Sequence, residues 1–297
     1  MIASDQLLPA GLQTLGILIF APLLQGAMRS ARAKLQGRPG PSPLQPYRDL
    51  ARYWRQESVQ PADASWLVQA APGVSLGVSL AFAAAVPLIV AGPLDGVVDV
   101  IALLFLLALG RFILSAAALD SGSGFAAMAA SREAAFSSLA EPVLLLSLVG
   151  AMSVNGGIAL SGLGRDPIDA AQLLALFAFV VVIIAETARI PIDNQETHYE
   201  LTMVHEGMAL NYGGWQLAML QYGAFVRQLA FYLIASAMLP GGPVAALIWT
   251  LSLAAAVTVI ETVHAKLRLY RVPDLFLTGS VLALASIALR TIGWFAS

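Results

Sequence analysis

The sequence predicts an all-α polytopic membrane protein, with about eight transmembrane helices and one helix lying at the cytoplasmic interface. Three observations carry this reading. Of 297 residues, 58% are hydrophobic and 11% charged, where a soluble domain carries about 25% charged residues. Apolar runs of about 20 residues recur along the chain, each long enough to cross a hydrocarbon core of about 30 Å. The runs are continuous rather than alternating, which argues against an outer-membrane barrel. We read a single integral membrane domain over 1–297.

The segments, in order, are Leu7–Met28, Trp66–Val90, Val97–Leu119, Phe136–Leu160, Ala170–Ala185, Leu217–Leu239, Val244–Thr262 and Leu275–Phe295. The second contains Pro72 and Pro87, which membrane helices tolerate better than soluble ones. The first connecting loop, 29–65, begins with "GRPGPSPLQP", too rich in proline and glycine for a helix. "YRDLARYWRQE" follows. A helix there puts Leu50, Tyr53 and Trp54 on one face and Arg48, Arg52 and Arg55 on the other, as suits an interfacial helix with arginines at the headgroups. No internal repeat of paired, broken helices is visible, as an inverted-repeat transporter would have.

Basic residues set the expected orientation. Twelve fall on one side, seven of them in loop 29–65, against Arg165 alone on the other. This places the first loop, and the acidic loop 186–216, in the cytoplasm. No basic residue precedes the first apolar run, so a cleaved signal peptide is not expected. The chain has no cysteine, which excludes disulfides and thiolate-held iron–sulfur or nickel–iron centres within it. A basic stripe with aromatics is lacking, so the expected partner is the lipid bilayer and not nucleic acid.

Ionisable groups inside apolar runs are costly, and persist when paired, hydrated or functional. Arg111 lies mid-run in "LLFLLALGRFILSAAA", Arg227 in "YGAFVRQLAFY", and Glu141 in "FSSLAEPVLLLSL" behind Arg132 and Glu133. Glu186 and Glu261 close the fifth and seventh segments. Arg111 reads as a counter-charge or a structural ion pair, Arg227 as a counter-charge or a lipid anchor. Glu141, followed by Pro142 and an expected backbone irregularity, reads as a proton-relay candidate. Arg290, near a segment end, reads as an anchor.

The most charged stretch is "ETARIPIDNQETHYELTMVHEG", 186–207. Pro191 is expected to break the helix after Ile190. A helix restarting with Asp193 or Asn194 as N-cap puts Glu196, Glu200 and Met203 on one face and His198, Thr202, His205 and Glu206 nearer another. Carboxylates at i, i+4 repel, so protonation, an arginine or a partner's cations must offset them. A metal site from His198, His205 and Glu206 fits no standard spacing, and no metal is expected. A solvated loop and a cluster of proton-exchanging carboxylates both remain open.

These residues resemble the signature of the family of H-type membrane subunits in respiratory complex I. Glu186, Thr187, Arg189, Pro191, Asp193, Glu200, Leu201, Tyr212 and Gly214 stand at its motif positions. Arg38, Gly40 and Pro41 resemble its loop motif, Ala108–Arg111 its third-helix motif, and Arg132 with Glu141 its fourth-segment pair. The form "THYELTMVHEGM" is similar to the counterpart in group 4 membrane-bound [NiFe]-hydrogenases, including formate hydrogenlyase; Gln195 departs from that branch. The resemblance implies a non-catalytic membrane subunit that docks a redox arm and links electron transfer to ion translocation. The alternative is a quinone-site subunit of a proton-pumping complex I.

The same resemblance implies proton-transfer or coupling roles for Glu133, Glu141, Glu186, Asp193, Glu196, Glu200 and Glu206. It implies counter-charges at Arg111, Arg132, Arg189 and Arg227, and arm-docking contacts at Arg38, His198 and His205. The implied partners are hydrogenase-like large and small subunits, an iron–sulfur subunit and antiporter-like membrane subunits. The [NiFe] centre and iron–sulfur clusters would sit in those partners, and whether quinone binds is left open.

Overall fold

The computed structural model describes residues 4–59, 64–94, 97–152, 157–163, 168–193 and 203–296. Its long helices are α1 (Ser4–Leu35), α3 (Trp66–Ala85), α4 (Val100–Asp120), α5 (Gly124–Ala151), α6 (Ala170–Glu186), α8 (Gly214–Ala237), α9 (Pro243–Val263) and α10 (Val272–Ala296). Two short ones, α2 (Gln45–Trp54) and α7 (His205–Ala209), lie in loops. Among the described residues, seven helices are long and apolar enough to cross a membrane, and Ala170–Glu186 is a shorter apolar helix. The fold is therefore all-α and polytopic, as the composition predicts.

α8 is the hub. It packs against α1, α2, α3, α6 and α9, while α10 packs on α5 and α6, and α4 joins α3 to α5. Some 67% of the apolar window of α8 is buried, against 22% for α9 and α10. Phe231 and Tyr232 of α8 are fully enclosed, and Phe82 meets Phe231 edge to face at 4.8 Å. Phe105, Phe112, Leu247 and Leu251 point outward. Such exposure suits a lipid solvent, which is as apolar as the side chains it wets.

Several boundaries move for local reasons. The second segment ends at Ala85 rather than Val90: Val86 is extended (ψ 122°), as a residue before proline prefers, so Pro87 lies beyond the helix. The third begins at Val100, where Asp99 accepts the Ala102 N–H at 2.7 Å as N-cap. The fourth runs Gly124–Ala151 rather than Phe136–Leu160. Its first half is rich in alanine, the best helix former, so helix continues through residues too polar to count as an apolar run. It also passes through Pro142 without ending, contrary to the expected irregularity. α1 continues past Met28 to Leu35, with Arg32 and Lys34 in its last turn, where cations suit the helix dipole.

α6 stops at Glu186, four residues before the expected break at Ile190. The stop is a Schellman closure: Arg189 N–H donates to Ile184 O at 2.9 Å and Ala188 N–H to Ala185 O at 3.1 Å. Ala188 takes the left-handed conformation (φ 52°) that this motif requires. Between α6 and α8 the described helix is His205–Ala209. The side chain of Asp193 accepts the His205 N–H at 3.2 Å. The proposed restart at 194 lies outside the described residues.

The loop helix α2 behaves as an interfacial helix should. Leu50 packs against the core, while Arg48, Arg52 and Arg55 are exposed. Trp54, expected beside Leu50, is instead 57% exposed and joins the outer face. The strap after α2 is held by Gly214, whose positive φ (53°) and contact with the Gln56 carbonyl leave no room for a side chain. At this end of the bundle the strap, the segment 187–193 and the α9–α10 connection meet, the last through Leu267 N–H donating to Pro191 O at 2.8 Å.

Candidate functional site

A cavity of about 500 Å³ opens at this end. Its apolar wall includes Leu114, Leu217, Leu220 and Phe225; its polar wall includes Glu186, Arg189, His205, Glu206 and Arg227. Tyr53 of α2 and Tyr212 also line it. Burial, with the charge of Asp120, pushes the Tyr212 phenol up to about 12, so it stays neutral.

A chain of charges leads inward from the cavity. Glu186, at the last turn of α6, is hydrogen-bonded to Arg111 of α4. Arg111 reaches Glu141 of α5 with its other terminal nitrogen, at 2.7 Å. Arg111 and Glu186 have side chains 9% and 7% exposed; Glu141 is 36% exposed, on the outer face of α5. Arg111 is thus ion-paired with two carboxylates from two other helices. The exposed neighbours of Glu141 on α5 include Ala134, Ala135 and Ser138, small residues that let another helix approach closely.

A second group sits beside it. His205 Nε2 lies 3.5 Å from Glu133 Oε2, and His205 Nδ1 lies 3.6 Å from Asp193 Oδ2. Lys266 holds the other Asp193 oxygen at 2.8 Å. Ser137 donates to Glu133 Oε1 at 3.2 Å. Arg132 donates to Met203 O at 3.1 Å, pinning the backbone just before α7. A small cavity of about 10 Å³, lined by Arg111, Glu133, Glu186, Asp193 and His205, joins the two groups. That volume is at the lower limit for one water.

Burial pushes the Asp193 carboxyl up, but the hydrogen bond and charge of His205, and those of Lys266, outweigh it and hold the group well below the usual carboxylate range. Burial pushes the His205 imidazole down. The charge of Glu133 and the bond and charge of Asp193 outweigh that and hold it above its ordinary value, with Arg227 opposing.

A third network supports the cavity floor. Arg189, 3% exposed, donates to Glu261 at 3.1 Å, to Gln228 at 2.6 Å and to Gln25. Glu261 also meets Arg32 at 3.5 Å. Arg189 and Glu261 therefore tie α1, α6, α8 and α9 together.

The structure brings Arg111, Arg132, Glu133, Glu141, Glu186, Arg189, Asp193, His205, Glu206 and Arg227 around these cavities. Arg227 is not an anchor out in lipid: it lines the cavity, its Nε is buried, and among the described residues no carboxylate is within ion-pair distance. Arg290 is not an anchor either; it bonds Met152 O at 2.8 Å and Gln172 at the opposite end of the bundle. Arg38 is exposed in the α1–α2 loop, apart from the cavity. Glu196, His198 and Glu200 lie outside the described residues. Among those described, no three histidine, aspartate or glutamate side chains converge as metal ligands.

The sequence reading overlooked Lys266, Gln25, Gln228 and Ser137. Gln25 and Gln228 carried a usable signal, since buried amides within apolar runs are themselves unusual. Lys266 carried none, being one basic residue among several in its loop.

The family described as NADH dehydrogenase matches residues 10–292. Formate hydrogenlyase subunit 4 of Escherichia coli (strain K12) is 37% identical over 225 residues, covering 73% of this chain and 72% of the relative. Hydrogenase-4 component C of the same organism is 33% identical, covering 73% and 70%. A chain of the membrane-bound sulfane sulfur reductase, an archaeal respiratory membrane complex, superposes with a TM-score of 0.76 at 18% identity, covering 95% of this chain and 99% of that one; it establishes the shared fold. With the family match spanning nearly the whole chain, this chain belongs to the NADH dehydrogenase family, among the relatives of the H-type membrane subunits of complex I.

Proposed function

We propose that this chain is the membrane-anchor and coupling subunit of a complex I-like membrane-bound [NiFe]-hydrogenase of the formate hydrogenlyase type. It docks a redox arm at its cytoplasmic end and passes the effect of electron transfer into ion movement in the membrane. The observation that carries this reading is the Glu186–Arg111–Glu141 chain running from the open cavity to the outer face of α5, in a chain 37% identical to a formate hydrogenlyase subunit.

In this reading the arm covers the cavity mouth, where Arg29, Tyr53 and Glu206 are presented. A redox change there alters the field at Glu186. Arg111 shares its charge between Glu186 and Glu141, so a proton gained at one carboxylate frees the guanidinium to hold the other more tightly. Glu141 then delivers that change to an antiporter-like membrane subunit seated on the Ala134–Ser138 face. The [NiFe] centre and iron–sulfur clusters belong to the arm in this account; the chemistry of this chain is proton affinity.

The test is Glu141→Gln in the assembled complex, reconstituted in vesicles, with protons moved per electron pair as the readout. The ratio should fall several-fold. An unchanged ratio would sink the coupling role. Sensitivity of turnover to a quinone-site inhibitor would instead favour the quinone-reducing alternative.

A further inference from the structure

We propose that His205 is the proton-transfer residue between the open cavity and the buried carboxylate of Glu133. The inference deepens the coupling reading above and rests on it, and assigns to His205 a task other than arm docking.

Three observations carry it. His205 and Glu186 are the two side chains that line both the 500 Å³ cavity and the small inner one. Glu186 is already engaged by Arg111, whereas His205 keeps 25% of its side chain exposed. Second, Glu133 Oε2 is buried without a hydrogen-bond partner among the described residues. Such orphans are uncommon and call for an explanation; here it is a carboxylate oxygen facing an imidazole nitrogen at 3.5 Å. A small rotation of either side chain makes the bond.

Third, the charges around the ring nearly balance. Glu133 on α5, Glu186 on α6, Glu141 on α5 and Asp193 after α6 supply four carboxylates. Arg111 on α4, Arg227 on α8 and Lys266 after α9 supply three cations, with Arg132 on α5 turned to a backbone carbonyl and Glu206 facing the cavity. A proton on His205 supplies the fourth. One neutral group in a buried cluster, poised between net −1 and zero, is where a mobile proton is best accommodated.

The roles of the two nitrogens follow. Asp193, pinned by Lys266, favours a proton on Nδ1 in every state, much as a buried aspartate orients a catalytic histidine. Nε2 is the working atom. It takes a proton from solvent in the cavity, then gives it to Glu133 Oε2. The N–H bond breaks as the O–H bond forms, and no electron changes hands. Glu133 shares the inner cavity with Arg111 and Glu186, so the proton arrives beside the charge chain.

The test uses the assembled complex in vesicles, with a pH-sensitive fluorophore and reduced methyl viologen as electron donor. His205→Ala should slow proton translocation roughly 100-fold, the lower range for a positioned proton-transfer group. Added imidazole should restore part of the rate through the open cavity. Pyrazole, a ring of the same shape that stays unprotonated, should not. Equal recovery with pyrazole would reduce His205 to a space-filler and overturn the assignment. A near-normal rate in His205→Ala beside an impaired Glu141→Gln would overturn it while leaving coupling intact; near-normal rates in both would remove the coupling reading itself. Unmodified complex gives a check that needs no variant: translocation must decline with rising pH as the imidazole empties, and a flat profile overturns the proposal.

Discussion

Gly207 offers a quantitative test of how α7 is held. A Cβ built there would lie 2.5 Å from the Ala129 Cβ, against the 3.4–4 Å of ordinary contact. Gly207→Ala therefore forces α7 and α5 apart by about 1 Å, an overpacking worth about 1–3 kcal/mol. Alanine returns about 0.5–1 kcal/mol in helix propensity, leaving a net loss of up to about 2.5 kcal/mol. His205 is two residues away on the same short helix, so its 3.5 Å approach to Glu133 should lengthen with it. The assay is thermal unfolding of the detergent-solubilised chain, where such a loss lowers the midpoint by up to about 4 °C. Gly73→Ala is the control: nothing lies within 4 Å of its Cβ, so it should be neutral or slightly stabilising. Ala129→Gly combined with Gly207→Ala moves the methyl across the contact and should recover most of the midpoint lost to overpacking. A midpoint for Gly207→Ala at or above that of the parent chain would refute the reasoning.

Glu261→Leu should cost about 3–5 kcal/mol, because it strands Arg189 in a buried site; the double variant Arg189→Met with Glu261→Leu should lose less than the single one, read by the same unfolding assay. Stability against pH should show two limbs. The raised His205 contributes stability that is complete below its ordinary 6.5 and lost as pH rises through its folded value. The lowered Asp193 contributes stability that is complete above its ordinary 3.8 and lost as pH falls through its folded value. His205→Gln should abolish the alkaline limb and shrink the acid one, since His205 helps to lower Asp193; Asp193→Asn should do the converse, and a chain whose midpoint ignores pH on both sides would contradict this.

Much of the fold could be read from residue pattern, because a bilayer demands long apolar runs and tolerates few charges. The fourth segment shows the limit. Its first half, "GFAAMAASREAA", is helical through alanine propensity and packs its Ala126, Ala129 and Ala130 face on α4 and α7, information that a hydropathy run does not contain. The site divides the same way. Arg111, Glu141 and Glu186 stood out because charge is costly in an apolar run, and the structure joins all three. Lys266 and Asp193 meet only because a backbone bond from Leu267 to Pro191 draws two loops together. Pairings across 73 residues leave no mark in either local stretch. Arg290 was misread for the complementary reason: a position near a segment end looks like an anchor, but Gln172 and the Met152 carbonyl turn it inward.

The ties between the loop 187–193 and the last two helices bear on how the molecule is made. A chain is synthesised and inserted from its N-terminus, so α6 enters the bilayer well before α9. Until α9 follows, Arg189 has no Glu261; until the next connection emerges, Asp193 has no Lys266. The nascent bundle thus holds charges whose counterparts are still in the ribosome. Its charged centre is completed last, by α9 and the connection to α10, although most of its residues were made first.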